Sequence, residues 1–387
     1  TAGSQTLTAA DGGVTGGASV SVGSAAATSL TVATTAGSPQ TAGVAFSTTV
    51  SARDAYGNVA TGYTGTVHLT STDGAAALPS DYTFAGGDSG THTFTNGVTL
   101  KTAGSRTITS TDTVTGSITG TSGAITVGPA AAATFTVTTT AGSPQTAGTA
   151  FSTTVTAKDA FGNTATGYTG TAHFTSGDTQ AVLPADYTFT GGDAGSHTFT
   201  NGATLKSAGS QTLTATDGGV TGSAAITVGP AAAATFSVTA PATRTAGSAL
   251  TATVTARDAY GNTATGYAGT AHFTSGDVQA VLPADYTFTG GDAGVHTFTS
   301  GVTLKTAGAQ TLTATDGGIT GNASVTVNPA AAATFTVTTT AGSPQTAGVA
   351  FSTTVTAKDA YGNTATGYTG TTHFTSTDAQ AALPADY

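Results

Sequence analysis

The sequence predicts an all-β protein, a string of two-sheet sandwiches of about seven strands and about 100 residues each. Three observations predict it: a composition poor in helix-coating residues, an internal repeat about 100 residues long, and apolar residues that alternate with threonine or serine within each copy.

Charged residues make up 7% of the chain, all 19 acidic residues are aspartate, and cysteine, methionine and tryptophan are absent. Missing glutamate and scarce lysine and arginine remove the usual coat of soluble helices, whereas threonine, valine, phenylalanine and tyrosine favour strands. A net charge of -10 spread over 387 residues leaves no basic stripe, so nucleic acid is excluded as a partner. No apolar run approaches the roughly 20 residues a helix needs to span a bilayer, so no membrane insertion is expected. Without cysteine there is no disulfide, thiolate metal site or cysteine nucleophile, and stability has to come from packing.

The repeat fixes the organisation. The string around Phe135 returns at Phe236 and Phe335, with a degenerate version at Leu30, and Tyr63, Tyr168, Tyr267 and Tyr368 keep the same spacing. The expected units are 1–23, the end part of an incomplete repeat; 24–128, 129–229 and 230–328, three whole repeats; and 329–387, the front part of another. Thr1 corresponds to Ser207 and Tyr387 to Tyr187, so the array is expected to continue in both directions. Length differences fall at Thr113–Ser117 and Pro241–Arg244, where loops are expected because loops tolerate insertion and strands do not.

Within 129–229, period-two alternation predicts seven strands. They centre on Phe135 and Val137; Phe151, Val155 and Ala157; Tyr168, Ala172 and Phe174; Tyr187 and Phe189; Phe199, Ala203 and Leu205; Leu213 and Ala215; and Ile226 and Val228. Turn residues separate them, among them Asp159-Ala160-Phe161-Gly162-Asn163 and Asp217-Gly218-Gly219, the latter a tight hairpin. Asn201-Gly202 fits either a small hairpin or a bulge. Each copy is large enough to bury its own core, unlike solenoid repeats that depend on their neighbours.

The runs Ala147-Gly148-Thr149-Ala150-Phe151 through Gly162-Asn163, Gly167-Tyr168-Thr169-Gly170 and Leu205-Lys206-Ser207-Ala208-Gly209-Ser210-Gln211-Thr212-Leu213 resemble bacterial immunoglobulin-like repeats of the invasin and intimin adhesin type. The resemblance covers every copy and implies tandem immunoglobulin-like β-sandwiches displayed outside the cell, in a stalk or an adhesin. Two departures stand out. Gln211 occupies the place where many such domains carry the tyrosine of the tyrosine corner, and the paired cysteines of antibody domains are missing.

Candidate chemistry is sparse. Each copy carries five aspartates, represented by Asp159, Asp178, Asp186, Asp193 and Asp217, all beside turn residues, where aspartate accepts bonds from backbone amides. If calcium binds, Asp186 and Asp193, on loops flanking one short strand, are the expected pair. His173 and His197 recur in the copies but, without an adjacent carboxylate, make an incomplete zinc site. No serine lies in a Gly-x-Ser-x-Gly elbow, and Gly191-Gly192-Asp193-Ala194-Gly195 lacks the lysine of a phosphate loop. Tyr168 and Phe161 are of a type that stacks on sugars or bases, but no basic groove accompanies them, and Tyr168 falls on the core parity. No enzyme activity, catalytic residue or cofactor is expected.

The short connection Val228-Gly229-Pro230-Ala231-Ala232-Ala233-Ala234 holds a proline and no serine-glycine tract, so it should limit the swing between neighbours. At a rise of about 3.3 Å per residue, each sandwich with its loops should extend roughly 35–45 Å along the string. The expected function is a structural stalk or filament shaft of an extracellular or cell-surface bacterial protein that spaces or scaffolds adhesive elements. The alternative is a multivalent adhesin module whose loops bind a glycan or host protein. Expected partners are neighbouring repeats, other copies of the chain side by side in a filament, and, for the alternative, that glycan or protein.

Overall fold

The computed structural model describes residues 1–387 and is built of strands, with helix confined to three single 3-10 turns. The repeat 129–229 stands for the others. Its strands are β1 (Ala132–Thr139), β2 (Gln145–Thr146), β3 (Ala150–Asp159), β4 (Thr171–Ser176), β5 (Tyr187–Thr188), β6 (Ser196–Thr204), β7 (Gly209–Asp217) and β8 (Val220–Gly229). Alternation decides which side chains go inward: along β1, Phe135 and Val137 are buried while Thr134, Thr136 and Thr138 face water.

Two sheets face each other, β1-β3-β6 and β2-β8-β7-β4-β5. The first strand is shared between them. β1 runs antiparallel to β3, and the chain then crosses at Ala141–Pro144 so that β2 lies parallel to β8. The sequence predicted one strand here. Two paired residues are too few to leave a periodic trace, so β2 was not foreseen and the repeat has eight strands.

Three further points refine the expected strands. Tyr168 lies in the loop before β4, because Gly167 and Gly170 break the extended run around it. Phe189 lies beyond β5, just ahead of the 3-10 turn Gly191–Asp193, yet is 2% exposed; burying a side chain of this size contributes about 1.5–3 kcal/mol. Asn201-Gly202 is a bulge: β3 pairs Phe151 with Ala203 and then Thr153 with Phe199, and Asn201 takes φ 49 with its amide donating to Ser152 Oγ. Asp217-Gly218-Gly219 closes the tight β7–β8 hairpin as expected, with Asp217 opposite Val220 and Gly218 at φ 54.

Buried apolar residues form three clusters, drawn from Leu30 to Val127, Phe135 to Val228 and Phe236 to Val327. Outside them, Gly3–Asp11 and Val14–Val22 form an exposed hairpin, and Thr334–Thr339 pairs with Thr353–Lys358. The extra residues at Thr113–Ser117 form a loop beyond the strand Ile108–Asp112, pinned by the Val114 and Thr115 amides donating to Asp112. No helix is long and apolar enough to cross a membrane.

Candidate functional site: the joint between repeats

The Asp159-to-Asn163 turn does more than reverse the chain. Asp159, 2% exposed, accepts the Phe161 and Asn163 amides at 2.9 Å on one carboxylate oxygen. Its other oxygen accepts the Ala130 amide at 2.9 Å and the Asn163 side-chain amide at 2.8 Å. Burial alone would raise this carboxyl, but these donors outweigh it and hold it below its ordinary value. Gly162 closes the turn at φ 85, a conformation that favours glycine. One carboxylate therefore ties the linker to the turn and aims Asn163 outward.

Asn163 reaches the repeat before its own. Its NH2 donates to the Lys101 carbonyl at 2.8 Å, and its carbonyl accepts the Ala103 amide at 2.9 Å. Asn262 makes the same pair with Lys206 and Ala208, at 2.7 and 2.8 Å, and Asn363 with Lys305 and Ala307, both at 2.7 Å. Asn58 accepts the Ala2 amide at 2.9 Å. Two such bonds are worth about 0.5–1.5 kcal/mol each net, and because they engage one side-chain amide at both ends they fix direction as well as distance.

The receiving loop is held in turn. Asp178, 3% exposed, accepts the Lys206 and Ser207 amides and the Ser207 hydroxyl, the last at 2.6 Å. Burial would raise this carboxyl; the Ser207 hydroxyl, with the Ser207, Lys206 and Gln180 amides, outweighs it and lowers it to about 2. Gln211 donates to the Ser207 carbonyl at 3.1 Å, so it supplies the upstream backbone bond that a corner tyrosine supplies elsewhere.

An aromatic ring completes the joint. Phe161 packs on Gly43, Tyr260 on Gly148 and Tyr361 on Gly247, each glycine in the preceding repeat and at φ between 78 and 80, with no room for a Cβ. The Lys206 ammonium sits 5.8 Å from the centre of the Tyr260 ring, and Gln180 donates to the Tyr260 carbonyl at 3.3 Å. Phe161, a candidate for stacking on sugars from sequence alone, is thus engaged by its neighbour. Tyr168 is also engaged, donating its hydroxyl to Asp217 at 2.6 Å; burial and that carboxylate push the phenol above its ordinary value.

The calcium candidates are drawn into separate local networks. Asp193 accepts from the Thr190 amide and hydroxyl, both at 2.7 Å, and from the Tyr187 hydroxyl, and pairs with His197 at 2.8 Å. Asp186 pairs with His173 at 2.7 Å on the exposed surface. The expectation that both histidines lack a neighbouring carboxylate is therefore corrected: the β4–β5 hairpin brings Asp186 to His173, and the 3-10 turn brings Asp193 to His197. His197 also stacks on Tyr187, with centroids 3.8 Å apart. No three such side chains converge into a group able to hold a metal.

Several solved structures are similar to this chain. The Escherichia coli adhesin FdeC aligns over 80% of this chain and 99% of its own at 22% identity, with a TM-score of 0.35. Invasin, a bacterial integrin-binding protein, aligns over 80% of this chain and 61% of its own at 18% identity and TM-score 0.30. The surface-layer protein SbsC aligns over 91% of this chain and 46% of its own at 18% identity and TM-score 0.24. Invasin typifies the repeats that the sequence motifs resemble. No family model and no curated protein matches the chain.

The sequence marks the turn but not the joint. Asn163 and its partner Lys101 lie 62 residues apart, in different repeats, and no periodicity connects them. The available signal was a large aromatic recurring at an exposed turn position, at Phe161, Tyr260 and Tyr361, alongside a recurring Ala-Gly turn at Gly43, Gly148 and Gly247.

Proposed function

We propose that the chain is a jointed spacer of an extracellular or cell-surface bacterial protein, with no catalytic role, and that its repeats set the distance between an anchor and whatever lies beyond them. The observation that carries this reading is the joint: each turn asparagine grips the backbone of the preceding repeat while the neighbouring aromatic covers that repeat's glycine. A chain of modules tethered only by flexible linkers would need neither contact. A binding role for the repeats would instead call for side chains free to meet a ligand; in 129–229 Tyr168 is bonded to Asp217, and Phe161, 42% exposed, rests one end of its ring on Gly43.

The test is removal of residues 129–229 from the surface protein. Particle length measured by electron microscopy should fall by roughly 35–45 Å, one repeat by strand rise, while adhesion through the remainder persists. Adhesion that declines in proportion to the number of repeats would instead make their loops the binding surface, acting through multivalency.

A further inference from the structure

The first whole repeat differs from the other two at one turn. In 129–229 the Gly218-Gly219 turn joins Asp217 to Val220, and in 230–328 Gly317-Gly318 joins Asp316 to Ile319. In 24–128 the corresponding Asp112 is followed by the longer loop Thr113–Ser117. This loop is fixed: the Val114 and Thr115 amides donate to Asp112 at 2.9 and 2.8 Å, and the Ile118 amide donates to the Thr115 carbonyl at 2.8 Å. Its tip, Val114, is nonetheless 89% exposed, so the loop is ordered without its apolar residue joining the core. Behind it lies a cleft of about 540 Å³ between the linker Ser24–Ala27, the Gly62–Gly65 segment and the loop itself. The matching cleft of 129–229, between Pro129–Ala132 and Gly167–Gly170, is about 370 Å³ and has no residue of the hairpin turn in its wall. A whole repeat precedes that one and contributes nothing to the wall, so the joint leaves this side open.

We propose that the cleft of the first whole repeat is a binding site for one neutral sugar unit, either free or at the end of a glycan. This goes beyond the spacer reading, in which the copies act alike, and stands or falls separately from it. No lysine, arginine or histidine lines the cleft, so an anionic ligand meets no counter-charge there. Asp112 is the charge in its wall, and it already accepts three bonds, from the Tyr63 hydroxyl and the two loop amides. A carboxylate has about four acceptor positions, which leaves one for a ligand hydroxyl. The Tyr63 hydroxyl gives its hydrogen to Asp112 and keeps its lone pairs for a second ligand hydroxyl. Ala25, Ala26 and Val114 supply the apolar wall that the C–H face of a sugar ring needs. Two further differences from the later repeats border the same cleft. Ser24 stands where Pro129 stands in the next repeat, and its hydroxyl accepts the Thr61 amide at 3.2 Å. Leu30 stands where Phe135 and Phe236 meet the equivalent tyrosines edge-on at 5.5 Å, so Tyr63 lacks that aromatic neighbour.

Saturation-transfer NMR on the 387-residue chain tests this, with glucose, galactose, mannose and N-acetylglucosamine as probes, each as the free sugar and as its methyl glycoside. At least one should bind, with a dissociation constant of about 1–10 mM, as befits a single ring in an open cleft. Equal binding of sugar and glycoside means that the site accepts a glycan end; binding of the free sugar alone means that it takes a soluble one. Sialic acid, an anion, should not bind. Replacing Thr113–Ser117 with the Gly-Gly turn that the other whole repeats carry should abolish the signal. Val114→Ala, at an exposed position that the fold does not need, should weaken binding about 3–10-fold through lost apolar contact. Absence of binding by all four sugars, binding that survives the loop replacement, or sialic acid bound as well as the neutral sugars would overturn the proposal.

Discussion

Tyr260 lies over Gly148 of the preceding repeat, so close that no Cβ could stand between them. Gly148 also holds φ 78, where an alanine is strained by its own backbone. Gly148→Ala should therefore push the ring away and loosen the joint without opening either core. Hydrogen exchange reports this locally: the Ala208 amide, which donates to Asn262, should exchange about 5–30-fold faster, the effect of 1–2 kcal/mol, while the buried Val155 amide keeps its rate. Unchanged exchange at Ala208 would show that the ring does not support the asparagine bonds.

Thr153 is fully buried in β3 and its hydroxyl has no hydrogen-bond partner; the third whole repeat has Ala252 at this position. An unpaired buried hydroxyl costs stability that an apolar group of the same shape does not. Thr153→Val should raise the stability of its repeat by about 1 kcal/mol, or about 4–8 °C in melting temperature. A lower melting temperature would mean that the hydroxyl is satisfied in solution.

The Asp178 carboxyl, lowered to about 2 by its hydroxyl and amide donors, makes the repeat sensitive to acid. Its depressed value gives stability that is fully present above the ordinary aspartate value of about 3.9. That stability is lost as pH falls from about 4 toward about 2, where the folded carboxyl also takes up its proton. Asp73 is lowered to about 2 in the same way by Thr102 and Lys101. Melting temperature should fall across this window, and the fall should be smaller in Asp178→Asn, which cannot titrate. An identical acid dependence in that variant would place the sensitivity elsewhere.

Calcium in excess and chelator in excess should give melting temperatures within a few degrees of each other. The reason is that both Asp193 oxygens already accept bonds, and Asp186 pairs with His173 in a separate exposed network. A shift above about 10 °C, more than 1 kcal/mol for a repeat of this size, would reveal a cation site that these networks give way to.

The strands were legible because each buries one face. Phe135, Val155, Phe174, Leu213 and Ile226 sit at alternating positions, and every one is buried on the side that parity assigns. What escaped the sequence reading has no period. β2 pairs over two residues, and Tyr168 belongs to a loop although it packs against the core. Asn163 and Phe161 look like ordinary turn residues because their partners, Lys101 and Gly43, belong to the preceding repeat. Contacts between copies become visible only when two equally spaced series, one aromatic and one glycine, are set side by side.

The distance between equivalent points on neighbouring repeats tests the joint most directly. Spin labels on Thr200→Cys and Thr299→Cys, exposed positions one repeat apart, report it without interference because the chain has no other cysteine. A held joint should give a single narrow distribution at roughly 35–45 Å, one repeat by strand rise, and Asn262→Ala should broaden it. A broad distribution in the unmodified joint, no wider in Asn262→Ala, would mean that the repeats swing freely and that the array is a flexible tether.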